Sequence, residues 1–222
     1  MAKNFFRGVI LKGGERVALL RVGVLASGRG SNLQAIINAC KKGEVPAEVA
    51  VVISDKAGAP ALDRARREGI PAVFVDPKSF GGRPEYEQAV VSVLKEYGVE
   101  LVCLAGYMRL VGKTLLGAFP NRIMNIHPAL LPAFPGLNGQ RQALEYGVRY
   151  SGCTVHFVDE GCDTGPIILQ AVVPVFDTDT EETLAGRILE QEHRIYPEAI
   201  RLFAEGRLQI KGRRVFIGEE KK

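Results

Sequence analysis

The apolar positions of this chain fall into short continuous runs that alternate with stretches of helical spacing. Residues 21–26 (RVGVLA) are one such run, closed by SGRGSN, and predict a buried strand. In residues 32–42 the side chains of Leu33, Ile36, Ile37 and Cys40 share one face, which predicts a helix. The alternation continues with a strand at 47–54, a helix at 61–68 ended by Gly69, and a strand at 71–75. A helix at 84–97 stopped by Gly98 and a strand at 99–105 follow. Near-continuous apolar strands suit a parallel sheet covered on both faces. Strand and helix in turn predict a doubly wound, mostly parallel, twisted α/β sheet of Rossmann-like type.

The pattern changes in the second half. A short fifth strand at 122–126 runs into the proline-rich HPALLPAFPG, and a helix is predicted at 140–146. Strands at 153–158 and 167–175 are joined by DEGCDTG in a long hairpin-like connection. A long helix spans 181–205 with Pro197 inside it, and a small hairpin at 208–210 and 214–217 turns around Lys211 and Gly212. With no internal repeat and no low-complexity linker, the chain reads as one domain, 21–210. An extraneous, poorly ordered extension (1–20) precedes it, and a basic tail (211–222) follows.

Composition supports a single domain. Of 222 residues, 46% are hydrophobic, enough for a sizeable core, and the absence of Trp leaves its packing largely aliphatic. Residues 1–21 hold five Lys or Arg and one Glu, so the whole net charge of +4 sits there and the rest is balanced. A body without net positive charge argues against nucleic acid as a partner. Cys40, Cys103, Cys153 and Cys162 form no C-x-x-C pair and read as free thiols of a reducing compartment. Charge interrupts the N-terminal apolar runs, so the segment does not read as a signal peptide, a weak transit peptide being the alternative to an extraneous extension, and no stretch reaches membrane-span length. Cytoplasm is the default location, with small-molecule partners and no membrane.

Three stretches carry candidate chemistry. SGRGSNL (27–33) joins a strand to a helix; Gly28 and Gly30 allow close backbone approach, and Ser31 and Asn32 suit the helix N-cap. Free N–H groups there would bind a phosphate; an ordinary capped turn is the plainer alternative. Leu33 replaces the third glycine of a dinucleotide fingerprint, although Asp55 at the next strand end still suits a ribose. A nicotinamide-dependent dehydrogenase therefore fits only in part, and a phosphate monoester fits better. NIHP (125–128) puts Asn125 and His127 on one side of a strand end, where an amide and an imidazole can stabilise an oxyanion. DEGCDTGP (159–166) offers Asp159, Glu160 and Asp163 for a metal or a turn, but without calcium-loop spacing. If Asp163 approached His127, it would raise the imidazole pKa and hold a cationic donor. His156 and His193 read singly as structural, and Glu192 as a solvated helical carboxylate.

Taken together, SGRGSNL, AGYMRLV, NIHPALLPAFPG, SGCTVHFV, DTGPIILQ and EHRIYP closely resemble the phosphoribosylglycinamide formyltransferases, in order from about residue 21 to about 208. The resemblance implies transfer of the formyl group of 10-formyltetrahydrofolate, a co-substrate, to the amine of glycinamide ribonucleotide in de novo purine (IMP) biosynthesis. It implies no metal, and a monomer or homodimer. It makes Asn125, His127 and Asp163 catalytic and gives the substrate phosphate to Gly30, Ser31 and Asn32, with Glu192 at the amine end. Arg83, the segment Met108, Arg109, Leu110 and Val111, Asn125, and the loop Asp159, Glu160, Gly161, Cys162 and Asp163 would line the folate site. The chain departs from the family at Asn138, where a histidine often follows P-G-L; this puts in doubt any substrate contact from that loop. Two rivals use the same co-substrate: a deformylase, which typically carries an extra N-terminal domain, and a methionyl-tRNA formyltransferase, which adds a basic C-terminal one. A non-catalytic nucleotide-binding module is the remaining alternative.

Overall fold

β-Branched and leucine-rich runs become strands here because both of their faces are covered. In the chain order that follows, the computed structural model describes residues 9–12 and 15–219. It divides into two units, Met1–Ile123 and Met124–Lys222.

The first unit opens with an antiparallel pair, β1 (Val9–Lys12) and β2 (Glu15–Ala18). Of the 1–20 extension, residues 1–8, 13 and 14 lie outside the described residues. The unit continues with β3 (Leu20–Leu25), α1 (Ser31–Lys41), β4 (Ala47–Ser54), α2 (Pro60–Arg67) and β5 (Ala72–Phe74). A single 3₁₀ turn (Pro77–Ser79), α3 (Arg83–Glu96), β6 (Leu101–Leu104) and α4 (Lys113–Ala118) complete it. Strands run parallel in the order β6-β3-β4-β5. Val22, Val24, Val52, Ile53 and Leu101 are fully buried, as are Leu33, Ile36, Leu62 and Leu94 of the helices. Each such side chain contributes roughly 1.5–3 kcal/mol on burial. Gly23 sits mid-strand because a Cβ there would lie 2.5 Å from Leu94 Cδ2, so glycine lets α3 approach the sheet.

The second unit takes up β7 (Ile123–His127) at the boundary and adds α5 (Gly139–Tyr146), β8 (Tyr150–Phe157) and β9 (Ile167–Pro174). The long α6 (Glu181–Ala204) follows, then β10 (Leu208–Lys211) and β11 (Arg214–Ile217). β7, β8 and β9 pair antiparallel; β11 joins β9 in parallel where Arg214 faces Ile167, and β10 closes antiparallel on β11. The terminal hairpin thus carries the folded chain to Ile217. The expected α/β class, the long C-terminal helix and the terminal hairpin are all present. Thr180 caps α6 by accepting the Thr183 N–H while the Thr183 hydroxyl accepts the N–H of Thr180. Pro197 is accommodated inside that helix.

Candidate active site

Asn125 and His127 leave β7 on the same side, as alternation requires, and both turn toward Asp163. Asp163 lies in the loop between β8 and β9 with φ of 55°, a left-handed backbone that costs a non-glycine residue energy. Its Oδ2 stands 3.2 Å from His127 Nδ1 and accepts the Gly136 N–H at 2.8 Å. Its Oδ1 accepts Asn125 Nδ2 at 3.3 Å and stands 3.5 Å from His156 Nε2. His156, the cross-strand partner of Asn125, completes the group with Asn125 Nδ2 3.2 Å from its Nε2. His156 Nδ1 faces the Phe157 carbonyl at 2.8 Å. A carbonyl only accepts, so Nδ1 carries a proton, while Nε2 stands between Asn125 Nδ2 and Asp163 Oδ1.

The electrostatics of the pair differ from expectation. For Asp163, burial alone would raise the pKa. The His156 hydrogen bond, the Gly136 N–H and the nearby imidazoles outweigh burial and pull the carboxyl down to about 2. For His127, burial is the largest influence and lowers the pKa below the ordinary histidine value, despite the opposite pull of Asp163 and the Phe134 carbonyl. Contact with Asp163 exists, but the resting ring is not held cationic: desolvation beats the carboxylate. Both ring nitrogens nonetheless face acceptors, because Nε2 lies 2.8 Å from the Phe134 carbonyl. A neutral ring can serve only one of them.

The rest of the 159–166 loop builds the turn that delivers Asp163. Asp159 Oδ1 accepts the Gly161 N–H at 3.1 Å and the Thr164 hydroxyl at 2.6 Å, so that carboxylate is spent on the turn. At Gly165 a Cβ would fall 1.8 Å from the Phe157 carbonyl oxygen. Glu160 and Cys162 are exposed. No cluster of three metal-binding side chains occurs among the described residues. Asn138 has φ of 59° at the start of α5, a left-handed position that asparagine tolerates better than most residues.

In the first unit, Gly30 (φ 73°) is the N-cap of α1, so Ser31 and Asn32 open the helix instead of capping it. No side chain caps that end. A Cβ on Gly30 would meet Ala61 at 2.9 Å, so glycine also admits α2. Arg83 opens α3, and its Nε donates to Glu87 Oε1 at 3.1 Å. Glu87 is buried; its two oxygens also accept the backbone N–H groups of Gly112 and Leu115, which fixes the start of α4. The preceding loop exposes Met108 (65%) and Leu110 (63%) while Val111 is buried, leaving apolar side chains available to a ligand.

His156 and Glu87 are the contributors that sequence patterning misses. The first reads as one strand histidine and the second as one helical carboxylate, and only their partners distinguish them. Glu192, expected at the surface, is instead buried on α6. Its charge adds to burial in pushing the Cys153 thiol up to about 12. His193 beside it is half-buried, with its pKa lowered by burial.

This fold is shared with known proteins. Residues 20–200 match the family model described as formyl transferase, and the chain belongs to that family. Within it, the chain is 47% identical over 178 residues to the phosphoribosylglycinamide formyltransferase of Bacillus subtilis, covering 80% of this chain and 91% of that protein. The crystal structure of glycinamide ribonucleotide transformylase 1 from Symbiobacterium toebii superposes with a TM-score of 0.91 at 60% identity, over 94% of this chain and 100% of that one. The match to the trifunctional purine biosynthetic protein adenosine-3 of Gallus gallus is 49% over 191 residues, 86% of this chain, but the chain spans only 19% of that protein's length. These relatives place the chain among the phosphoribosylglycinamide formyltransferases.

Proposed function

We propose that the protein transfers the formyl group of 10-formyltetrahydrofolate to the amine of glycinamide ribonucleotide, with Asn125, His127 and Asp163 as catalytic residues. The observation that carries this reading is a buried imidazole held at Nδ1 by a carboxylate that stays ionised. In the neutral ring the Nδ1 proton belongs on the charged Asp163, since a charge-assisted bond is the stronger one. Nε2 then presents a lone pair, and the Phe134 carbonyl beside it gives way to substrate.

An α-amino group of pKa about 8 must lose a proton as it attacks. Nε2 takes that proton while the N–C bond to the formyl carbon forms. The resulting imidazolium, steadied by Asp163, donates to the tetrahedral oxyanion with the help of Asn125. The proton then moves to N10 of the folate as the C–N10 bond breaks, giving the formamide and tetrahydrofolate. Gly30, Ser31 and Asn32 take the substrate phosphate at the uncapped α1 terminus, and Glu192 holds the amine end. Arg83, Met108, Arg109, Leu110, Val111, Asn125 and the loop Asp159, Glu160, Gly161, Cys162 and Asp163 line the folate site. Residues 21–210 are the transferring domain, working in the cytoplasm as monomer or homodimer, with no metal and no nucleic acid.

The test combines both substrates and follows folate release together with formylated product. Stoichiometric formation of both is the expected result. Folate release without product would mean hydrolysis and overturn the reading. His127→Ala should lower kcat by roughly 10²–10⁴-fold, the usual scale for a positioned acid–base group.

A further inference from the structure

The proposed reaction leaves one buried carboxylate unused. Asp55 follows directly on β4, at the carboxyl end of the parallel sheet of the first unit, and is only 6% exposed. Ser27 follows β3, and Phe74 is the last residue of β5, so three neighbouring strand ends converge there. Between them is a cavity of about 510 Å³ that Lys56, Lys78 and Arg109 also line. Its size falls within the range of small-molecule sites, and its place outside the carboxyl ends of parallel strands is where open α/β sheets hold ligands.

We propose that this cavity binds a nucleoside 5′-monophosphate. Each part of such a ligand has a counterpart. Phe74 is 41% exposed, an aromatic face left open at a strand end, which suits a base. The Asp55 carboxylate accepts the Ser27 hydroxyl at 2.6 Å through Oδ1, which leaves Oδ2 for a ribose hydroxyl. Lys56 and Lys78 offer the phosphate its cations. The other acid on the wall, Asp76, already accepts the Lys78 N–H at 3.0 Å. The site is also wired to its surroundings: Ser27 Oγ accepts the Met108 N–H at 2.9 Å while donating to Asp55. A ligand on Asp55 therefore stands one side chain away from the backbone of the exposed Met108.

The experiment is isothermal titration of the full chain with AMP while glycinamide ribonucleotide is held at saturation. Saturable 1:1 binding is expected, weakened about tenfold or more when adenosine replaces AMP. Phe74→Ala and Asp55→Asn should each weaken AMP by about tenfold or more, while Phe74→Ala leaves the KM for glycinamide ribonucleotide within about twofold. Phe74 is exposed, so its variant keeps the test valid if Asp55→Asn fails to fold. AMP binding that disappears at saturating glycinamide ribonucleotide would assign it to the substrate's own phosphate loop and overturn the proposal. Binding unchanged in both variants, or no binding at all, would do the same. Because binding is read directly, the result is independent of whether formyl transfer is the reaction.

Discussion

Replacing Asp163 with asparagine keeps the shape of the side chain and removes its charge, and the geometry fixes what that costs. On its Oδ2 side the carboxylate faces Gly136 N–H at 2.8 Å and His127 Nδ1 at 3.2 Å; on its Oδ1 side it faces Asn125 Nδ2 at 3.3 Å. A carboxamide offers one accepting oxygen. Turned toward Gly136, it sets its own NH₂ against that of Asn125; turned toward Asn125, it abandons Gly136 and His127. Either way a buried or half-buried donor is left unpaired, at a cost of about 1–3 kcal/mol. The carboxyl titrates at about 2 instead of 3.8, which corresponds to about 2 kcal/mol of stability. The two routes agree, so Asp163→Asn should destabilise the protein by about 2 kcal/mol at neutral pH. The sign with pH follows. A depressed carboxyl pKa contributes stability that is full above about pH 4 and lost as pH falls through about 2, so the gap between wild type and variant should close across that window. The protonated wild-type carboxyl is then itself a one-acceptor group. Urea unfolding of both proteins across this range measures the gap. A gap below about 0.5 kcal/mol at pH 7, or one of constant size down to pH 2.5, would refute the reasoning. In the formyl-transfer assay the same variant should lose roughly 10²–10⁴-fold in kcat/KM, and activity within threefold of wild type would remove Asp163 from the catalytic group.

Two further substitutions probe the framework. Glu87→Gln loosens both Arg83 and the N–H groups of Gly112 and Leu115, so KM for 10-formyltetrahydrofolate should rise about tenfold with kcat nearly unchanged; an equal fall in kcat would mean a global structural defect. Gly152→Ala places a Cβ 1.9 Å from the Ala171 carbonyl oxygen across the β8–β9 pair, and should cost about 3 kcal/mol or more in urea unfolding; near-wild-type stability would show that the ladder can shift.

The α/β alternation was legible because period and punctuation agreed. Residues 47–54 form β4 with the bounds the apolar run predicts, and Gly69 and Gly98 follow α2 and α3 where the helices stop. What escaped is structure that depends on distant partners. α4 has only six residues and no stripe of its own; its start is fixed by Glu87, a side chain of another helix. The 3₁₀ turn at Pro77–Ser79 rests on two local bonds to Asp76, whose carboxylate accepts the Lys78 N–H and whose carbonyl accepts the Ser79 N–H. At the site, strand alternation placed Asn125 beside His127, but nothing local to residue 156 says that its imidazole completes the same group. Glu192 shows the limit in reverse: a carboxylate in a polar helical stretch is buried because of what packs over it.

His127 carries that limit furthest. Resemblance to the family names Asp163 as a partner, and a carboxylate partner by itself argues for a cationic imidazole. The ring is only 4% exposed, however, and burial opposes charge on it more strongly than one carboxylate supports it. The difference alters the chemistry. A ring already cationic could donate to an oxyanion but could not relieve an attacking amine of its proton. A neutral ring whose Nδ1 proton is anchored on Asp163 can do both in sequence, as base and then as acid. The Phe134 carbonyl at Nε2 makes the neutral state useful. It is a poor neighbour for a lone pair and a good one for a proton, so exchanging that carbonyl for a substrate N–H would relieve the mismatch. Phe134 itself sits at φ of 54°, an unfavourable backbone conformation for a non-glycine residue, which eases the displacement proposed for its carbonyl.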